Sequence, residues 1–370
     1  MRLTEKQILK QLLDSADQYK PLKFEGFDKD FLLSERARAD GVARISVENG
    51  PGFKALLEIV PVATPMNIKQ KSIMLIAEFA TTEISDSPTI PMIVAPFISR
   101  SSACILADRG ISWIDLCGNM RVSVPGKVYI ERTGKKNKFP DTAPIKKIFE
   151  GTSSLVSRAL LLRPQGFSSQ YELIDFINSR NANITAGTVS RVLKSLESDL
   201  LITRKKSLIS VTDTKKLLQS LADGYVSSMK RKEKKSYRFS IRQSAYVSMT
   251  MNVQKSNYLA SSFYAAQLKG LGATDEVTIF VRDMGQARER FDFLETDAEF
   301  GNFKLIETKN FEIWFNSVNT EITVASAIRL SIPVVDDIEL YLEMMTDAPR
   351  GPKIAEQLKE RILGANYFGK

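Results

Sequence analysis

The sequence predicts an α+β chain of two or three domains, with a small basic helical module at its centre. Its 370 residues are enough for two or three domains of ordinary size. Hydrophobic residues make up 43% and charged residues 26%, which is typical of a globular protein that buries a core in each domain. The positive charge is concentrated, because residues 121–245 carry 25 Lys or Arg against 10 Asp or Glu. We therefore expect three domains, over residues 1–135, 146–225 and 236–370.

The residue types that are missing exclude several classes of enzyme. There is no histidine, which removes Ser-His-Asp and Cys-His nucleophile activation, His-ligated zinc and the usual imidazole acid-base catalyst. Cys104 and Cys117 are too few for a four-thiolate zinc site or a disulfide framework, so we expect a reducing cytoplasm and two core cysteines. The first 20 residues lack an apolar core and no stretch approaches about 20 apolar residues, so we expect neither a signal peptide nor a membrane span.

The N-terminal domain carries two carboxylates on predicted strands. Residues 36–60 read RARADGVARISVENGPGFKALLEIV, with Asp40 ahead of one strand and Glu58 within the next. This arrangement resembles the Asp…Glu-x-Lys motif of PD-(D/E)XK nucleases, in which two carboxylates hold Mg²⁺ and a lysine assists the attacking water. Val60 stands at the lysine position. Two other lysines could substitute for it: Lys54 and Lys69. We expect a degenerate nuclease-like α/β domain in which both carboxylates are structural.

A second polar motif in this domain predicts a turn. In Asp115-Leu-Cys-Gly-Asn119, Gly118 can take a backbone conformation that is costly for other residues. Asp115 can accept hydrogen bonds from nearby backbone N–H groups. We therefore expect Asp115 and Asn119 to have a structural role and not a catalytic one.

Helical periodicity and turn residues predict three short helices after Gly151. The first has Leu155, Ala159 and Leu162 on one face and is stopped by Pro164-Gln-Gly166; the second is capped by Ser168 or Ser169. The third begins at Thr185, and its buried stripe repeats every three or four residues: Val189, Val192, Leu193 and Leu196. Two short strands follow, Leu200–Thr203 and Leu208–Val211, around the basic tip Arg204-Lys205-Lys206-Ser207. Three helices and a hairpin are the order of a winged helix-turn-helix.

The charge and the third helix together predict binding to double-stranded DNA. The net charge is +15 over residues 121–245, against −1 over residues 1–120 and −6 over residues 256–370. Small residues at the start of the third helix would let its backbone approach a major groove. The candidate DNA-binding residues are Thr185, Gly187, Thr188, Ser190, Arg191, Lys194, Arg204, Lys205 and Lys206. Basic flanks at 135–147 and 230–235 could extend the contact with phosphates; a module for protein contacts is the alternative.

Several blocks of the sequence are similar to AbiEi-type transcriptional regulators, the antitoxin family of type IV toxin–antitoxin systems and its larger relatives. The similar blocks are Ala95-Pro96-Phe97-Ile98, Gly110-Ile111, Ile114–Asn119, Ile184–Leu193, Leu340-Tyr-Leu342 and Ala348-Pro-Arg-Gly351 with Ala355, Glu356 and Leu358. The resemblance implies a regulator that binds DNA, often at its own promoter. The original antitoxins pair with a nucleotidyltransferase-like toxin, so a cognate toxin is a candidate partner, although larger relatives need not be antitoxins.

The resemblance to the longer relatives implies a nucleotidyltransferase-like α/β fold for the C-terminal domain. We expect a helix over Leu259–Leu268, strands over Val277–Val281 and Glu312–Phe315, and helices over Pro333–Met345 and Ile354–Leu363. An active enzyme of that class needs Gly-Ser followed by Asp-x-Asp to bind two metals. Here Ala260-Ser261-Ser262 lacks the glycine, Asp283 is a single carboxylate, and the neighbours Asp336 and Asp337 would diverge on a strand. This predicts a regulatory or interaction domain.

The sequence therefore predicts a transcriptional regulator that represses a nearby operon and its own promoter. We expect it to act as a homodimer in the cytoplasm. No catalytic residue, metal or cofactor is expected. The alternative is an enzyme that acts on nucleic acid, either a Mg²⁺-dependent nuclease through Asp40 and Glu58 or a nucleotidyltransferase through the C-terminal domain.

Overall fold

The computed structural model describes residues 3–29, 32–34, 37–81, 88–139, 146–205, 207–229, 236–239, 258–290, 302–324, 328–347 and 349–364. The chain is α+β, as predicted, and divides into two compact units. The first unit consists of Met1–Ile145 and Glu197–Leu200, and the second of Lys146–Leu196 and Leu201–Lys370.

The first unit is built on a mixed sheet that has seven strands within the described residues. Its elements are α1 (Glu5–Asp14), β1 (Leu22–Lys29), β2 (Leu32–Ser34), β3 (Ala37–Arg38), β4 (Gly41–Val47), β5 (Gly52–Ile59), α2 (Pro65–Ala80), β6 (Thr89–Ala95), α3 (Arg100–Ala107), β7 (Ser112–Asp115), β8 (Met120–Val124) and β9 (Val128–Arg132). The strand order is β1-β4-β5-β6-β7-β8-β9, and only the β5–β6 and β6–β7 pairs in it are parallel. β2 and β3 form a separate ribbon.

Helices cover both faces of this sheet, because successive residues of its central strands are apolar on both sides. Leu57 of β5 packs in a core with Ile8 and Leu12 of α1. Its neighbour Leu56 points to the other face, in a core that also contains Leu75 of α2. Residues on the same side as Leu56, including Glu58, therefore face α2.

The helical part of the second unit has the predicted order of three helices and a hairpin. Its elements are α4 (Ser154–Leu162), α5 (Gln170–Asn178), α6 (Ala186–Ser198), β10 (Ile202–Lys205), β11 (Leu208–Val211) and α7 (Thr214–Met229). Of the two candidate caps of α5, Ser169 is the one used, since its Oγ accepts the N–H of Glu172 at 3.1 Å. The first strand of the hairpin begins at Ile202 and not at Leu200, whose φ of +58° places it in the turn after α6.

The C-terminal part of the second unit contains a mixed sheet, with six strands in the part of the chain that the structure describes. Its elements are β12 (Ser236–Phe239), β13 (Tyr258–Ser261), α8 (Ser262–Leu268), β14 (Val277–Val281), α9 (Met284–Arg290), β15 (Phe303–Glu307), α10 (Phe311–Trp314), β16 (Val318–Val324), β17 (Ile328–Val334), α11 (Asp337–Met344) and α12 (Gly351–Leu363). The strand order is β12-β15-β14-β13-β17-β16.

Three predictions for this region are wrong. Leu259–Ser261 is a buried strand and not the start of a helix, because an uninterrupted apolar run fits both. Phe311–Trp314 is a single helical turn where a strand was expected. The helix predicted over Pro333–Met345 begins only at Asp337, after a strand that ends at Val334, so Asp336 and Asp337 are at the start of α11 and not on a strand. The Asp336 Oδ1 accepts the N–H of Glu339 at 2.7 Å and so caps the helix. The predicted strand Val277–Val281 is confirmed.

A buried ion pair joins the helical part of the second unit to its C-terminal part. Arg158 of α4 is fully buried, and its Nη2 donates to the Oε2 of Glu339 in α11 at 2.6 Å. The hydroxyl of Tyr225 in α7 donates to the other oxygen of Glu339 at 2.9 Å. One continuous hydrophobic core surrounds these groups and includes residues of α4, α6, β13 and α11. The helical part is therefore held against the C-terminal part by this ion pair as well as by the packing of the shared core.

We expect Arg158→Met to lower the free energy of unfolding by about 3–5 kcal/mol, because it leaves the Glu339 carboxylate buried without its cation. Urea unfolding, followed by the fluorescence of Trp314 in a Trp113→Phe background, measures the change within the second unit. The double variant Arg158→Met with Glu339→Gln should recover much of the loss, since the amide oxygen of the new glutamine can still accept from Tyr225. An exposed control in the same unit, Lys353→Ala, should be close to neutral. Equal midpoints for all variants would contradict this account of the ion pair.

Candidate nucleic-acid interface

The third helix of the second unit, α6, has one buried face and one exposed face. The predicted stripe is confirmed: Val189, Val192, Leu193 and Leu196 are all fully buried. The residues predicted to contact DNA lie on the other side. Thr188 is partly buried, and the other five are exposed: Thr185, Gly187, Ser190, Arg191 and Lys194. The exposed face thus presents small, hydroxylated and cationic groups together.

Side chains of the preceding helix hold the start of α6 in place. The Asn178 Oδ1 accepts the N–H of Ile184 at 2.9 Å, and the Gln170 Nε2 donates to the carbonyl of Ala186 at 2.9 Å. The Thr185 Oγ1 accepts the N–H of Thr188 at 3.4 Å, which supplies the predicted cap. Side chains at both ends of α5 are therefore bonded to the backbone just before α6 and at its first residue, so the exposed face has a defined orientation within the unit.

The hairpin after α6 is shorter at its tip than predicted. Arg204 and Lys205 were expected in the tip, but both are paired in the ladder, with Ile209 and Leu208 respectively. Their side chains are still exposed. Lys206, the third basic residue predicted there, lies outside the described residues. The hairpin therefore presents two described cations from the end of one strand.

A glycine before α5 anchors this hairpin to the helices. Phe167 and Ile209 exchange both backbone hydrogen bonds, at 2.9 and 2.8 Å, which adds a third short strand segment to the hairpin. Gly166 has a φ of +107°, and a Cβ there would lie 2.4 Å from the carbonyl oxygen of Ile209. Any other residue would push the hairpin away from the helices, so a glycine is required at this position.

Sequence reasoning missed one aromatic residue near the exposed face. Tyr171, in the first turn of α5, is 78% exposed and follows Gln170, which contacts the start of α6. The apolar positions of α5 are 173, 174 and 177, so its periodicity already placed Tyr171 away from the core. An exposed tyrosine beside a cationic helix face can donate a hydrogen bond to a phosphate.

Most of the positive charge of the central block lies beside the module and not within it. Residues 146–225 carry 12 Lys or Arg against 7 Asp or Glu, a net charge of +5 out of the +15. The remaining excess belongs to residues 121–145 and 226–245. Residues 140–145 and 230–235 lie outside the described residues. The flanks would thus supply most of the net attraction to a phosphate backbone.

In the first unit, Asp40 and Glu58, the two carboxylates singled out from the sequence, both interact with neighbouring groups. The Asp40 Oδ2 accepts the N–H of Ile59 at 2.7 Å, which links the start of β4 to the end of β5. Glu58 is 7% exposed and forms an ion pair with Lys71 of α2. Burial raises the pKa of Glu58 to about 7, although the bond from Lys71 opposes the shift. The partner of Glu58 is thus neither of the two predicted lysines.

The Asp115–Asn119 turn has the predicted structural role. The Asp115 Oδ1 accepts the N–H groups of Cys117 and Asn119 at 3.0 and 2.9 Å, and its Oδ2 accepts the N–H of Ile98 at 3.2 Å. Gly118 has the expected left-handed conformation, with a φ of +89°. Cys117 is buried as predicted, but the prediction for Cys104 is wrong, because α3 turns this side chain outward and leaves it exposed.

Ser261, Ser262 and Asp283, which the sequence analysis compared with nucleotidyltransferase motifs, also have hydrogen-bond partners in the second unit. The Ser261 Oγ donates to the carboxylate of Glu343 at 2.8 Å, and the N–H of Ser262 donates to the same group at 2.8 Å. The Asp283 Oδ1 accepts the N–H of Gln286 at 3.1 Å and so caps α9. Among the described residues, no group of three or more Cys, Asp or Glu is arranged to hold a metal ion.

Comparisons with protein-family models, with curated proteins and with solved structures find no match to this chain. Its function therefore has to be inferred from its own residues. Of the helices in the described ranges, none is both long and apolar enough to cross a membrane.

The raised pKa of Glu58 predicts a pH-dependent stability. Because the folded state holds this proton up to about pH 7 and the unfolded chain releases it near pH 4.5, the free energy of unfolding should fall between these values. The contribution of one group is at most about 1.4 kcal/mol per pH unit. Glu58→Gln should flatten this dependence, measured by urea unfolding with the fluorescence of Trp113. The exposed control Glu25→Gln should not. Parallel pH profiles for all three proteins would contradict the shift.

Proposed function

We propose that this protein is a sequence-specific regulator of transcription that binds double-stranded DNA through a winged helix-turn-helix formed by residues 146–225. The observation that carries the proposal is the exposed face of α6, on which Gly187, Ser190, Arg191 and Lys194 lie opposite a fully buried apolar stripe. A helix of this kind fits the major groove, where each base pair presents a distinct pattern of donors and acceptors.

Each part of the face has a separate role in this proposal. Thr185, Gly187 and Ser190 are small enough to let the helix backbone approach the floor of the groove. Arg191 and Lys194 project from the middle of α6, where an arginine can donate two hydrogen bonds to a guanine. Arg204 and Lys205, with Lys206, would contact the phosphates of an adjacent backbone, as the wing of such modules does.

The expected partner is promoter DNA, bound by a homodimer. Two copies of α6 would then read half-sites about 34–36 Å apart, on one side of the duplex. The resemblance to AbiEi-type regulators favours repression of a nearby operon, including the promoter of the protein itself. On this view the first unit is a degenerate nuclease-like domain, and the C-terminal part of the second is a nucleotidyltransferase-like domain for regulation or for a partner such as a cognate toxin.

The contacts of the carboxylates favour regulation over the enzymatic alternative. Asp40 is held by a backbone N–H and Glu58 by Lys71, so both would have to exchange these partners for Mg²⁺. Asp283 caps a helix, and Ser261 is bonded to Glu343. A nuclease or nucleotidyltransferase needs such groups to converge on metal ions. Mg²⁺-dependent cleavage of DNA that is lost in Glu58→Ala would nevertheless overturn this part of the proposal.

We expect Arg191→Ala to reduce the preference for the native promoter over unrelated DNA by about 1–3 kcal/mol, because it removes base contacts. Fluorescence anisotropy with promoter and scrambled duplexes at one salt concentration measures the difference. Lys353→Ala is the matched control, since it removes one exposed cation from α12, outside the module. If Arg191→Ala leaves both the affinity and the position of the promoter footprint unchanged, α6 is not the reading helix.

We expect the double variant Arg204→Ala and Lys205→Ala to weaken binding to promoter and scrambled DNA alike, because phosphate contacts carry no sequence information. For the wild type, about six phosphate contacts would lower the affinity roughly a thousandfold between ~50 and ~200 mM salt. The slope of log Kd against log salt should decrease by up to about 2 in the double variant, because each lost phosphate contact lowers it by about 1. An unchanged slope would exclude the hairpin from the interface.

A further inference from the structure

A cavity of about 430 Å³ lies between the three-helix module and the C-terminal part of the second unit. Its walls come from the end of α4, from α5 and the turn after it, and from the start of α11. The charged residues that line it are Arg163, Arg180, Lys269, Asp336 and Asp337. Its apolar lining includes Leu162, Phe176 and Val318. The volume is within the range of small-molecule sites, about 300–1,000 Å³.

Two of the three cations in this cavity are neutralised by carboxylates. The Arg163 Nη1 lies 2.5 Å from the Oε1 of Glu172, in the first turn of α5. The Lys269 Nζ lies 2.6 Å from the Oδ1 of Asp337. These two ion pairs hold the walls of the cavity in place. Arg163, Lys269 and Asp337 therefore each have a partner of opposite charge.

Arg180 is the third cation of this cavity. Its guanidinium lies 3.6 Å from the centroid of the Phe176 ring, and its Nη1 donates to the carbonyl of Phe176 at 3.0 Å and to the Ser179 Oγ at 3.2 Å. Among the described residues, none of its contacts is with a carboxylate. Desolvation lowers the pKa of Arg180, as expected for a cation without a neutralising partner. The ring and the carbonyl hold the guanidinium in place and leave its charge available.

Asp336 also lines this cavity. It is 1% exposed, and its Oδ1 caps α11 through the N–H of Glu339. Its Oδ2 is buried and has no hydrogen-bond partner within the described part of the chain. An asparagine or serine would cap the helix as well, so the cap alone does not require a second buried carboxylate oxygen. Such an oxygen calls for a donor, either an ordered water beside Arg158 or a ligand.

We propose that this cavity binds a small zwitterion of the free amino acid class. The carboxylate of the ligand would pair with the guanidinium of Arg180, and its ammonium group would donate to the Oδ2 of Asp336. The side chain of the ligand would pack against the apolar wall formed by Leu162, Phe176 and Val318. A ligand with both charges satisfies both unmatched groups, whereas a simple anion or a simple amine satisfies only one.

The position of Arg180 links this cavity to the proposed reading helix. Arg180 lies in the turn between α5 and α6, and its carbonyl accepts the N–H of Asn316, which also lines the cavity. A ligand held by Arg180 would therefore order the turn that leads directly into α6. A resulting change in DNA affinity is a second step, and it rests on the proposed function. It requires the turn to have two conformations that bind the ligand with different affinities.

Isothermal titration calorimetry of the intact protein without DNA tests the binding step. The probes are the free proteinogenic amino acids at up to about 10 mM, a concentration at which even a millimolar site is mostly occupied. For a bound amino acid such as L-leucine, two matched analogues remove one charge each: 4-methylpentanoate lacks the ammonium group, and 3-methylbutylamine lacks the carboxylate. We expect each analogue to bind at least tenfold more weakly. If no free amino acid binds, or if an analogue binds as tightly as its parent, the proposal is wrong.

Two conservative variants place the ligand in the cavity. We expect Arg180→Gln and Asp336→Asn each to weaken amino acid binding at least tenfold, while Lys353→Ala leaves it unchanged. An asparagine at position 336 can still cap α11, and Arg180 lies in a turn, so both variants should unfold at temperatures close to that of the wild type. Wild-type affinity in both folded variants would show that any binding occurs elsewhere and would overturn the assignment. Retained binding in Asp336→Asn alone would assign the buried oxygen to water and overturn the ammonium contact.

A separate titration of promoter DNA, with and without the bound amino acid, tests the regulatory step. A severalfold change in DNA affinity that disappears in Arg180→Gln supports it. Amino acid binding without any change in DNA affinity would leave the site in place and refute the coupling. A protein that binds the amino acid but no DNA under any condition would refute the proposed function and not the site.

Discussion

The buried pair of Arg158 and Glu339 is the constraint on which the second unit depends. The Arg158 guanidinium is buried with the Glu339 carboxylate as its partner, and Tyr225 donates to the same carboxylate, so α4, α7 and α11 meet at one point. An ion pair of this kind adds little stability compared with an apolar core of equal volume, but it penalises every arrangement in which either partner is alone. Its effect is therefore to select one packing of the three helices against the C-terminal sheet.

This constraint gives the exposed face of α6 a fixed support. The stripe of α6 packs into the same core as α4, and the ends of α5 bond to its first turn. The hairpin is held to the helices through Gly166 and Phe167. The side chains proposed to contact DNA are therefore presented by a rigid frame, in which the turn around Arg180 is the segment where the helices, the C-terminal part and a cavity come together. A ligand at the proposed site would act on α6 through this turn.

Sequence reasoning succeeded where the determining interactions are local. The stripe of α6, a cap of α5 at Ser168 or Ser169, and the turn in which Asp115 accepts nearby N–H groups each depend on residues within a few positions, and these were predicted. It failed where tertiary context decides. Leu259–Ser261 has the same apolar pattern in a strand as in a helix, and Lys71 reaches Glu58 only because α2 packs on that face of the sheet. The Arg158–Glu339 pair, and the cavity that Arg180 and Asp336 both line, could not be found, because nothing in the separate segments indicates that they come together.

The separation of Arg158 and Glu339 by 181 positions also affects biosynthesis. Ribosomes add about 5–20 residues per second, so on the order of ten seconds or more pass between the two. During that interval the nascent α4 cannot enter a finished core, because its guanidinium has to remain hydrated. Premature termination anywhere before Glu339 would leave Arg158 of α4 without its carboxylate partner. A polypeptide that ends before Glu339 would therefore display α6 without this support.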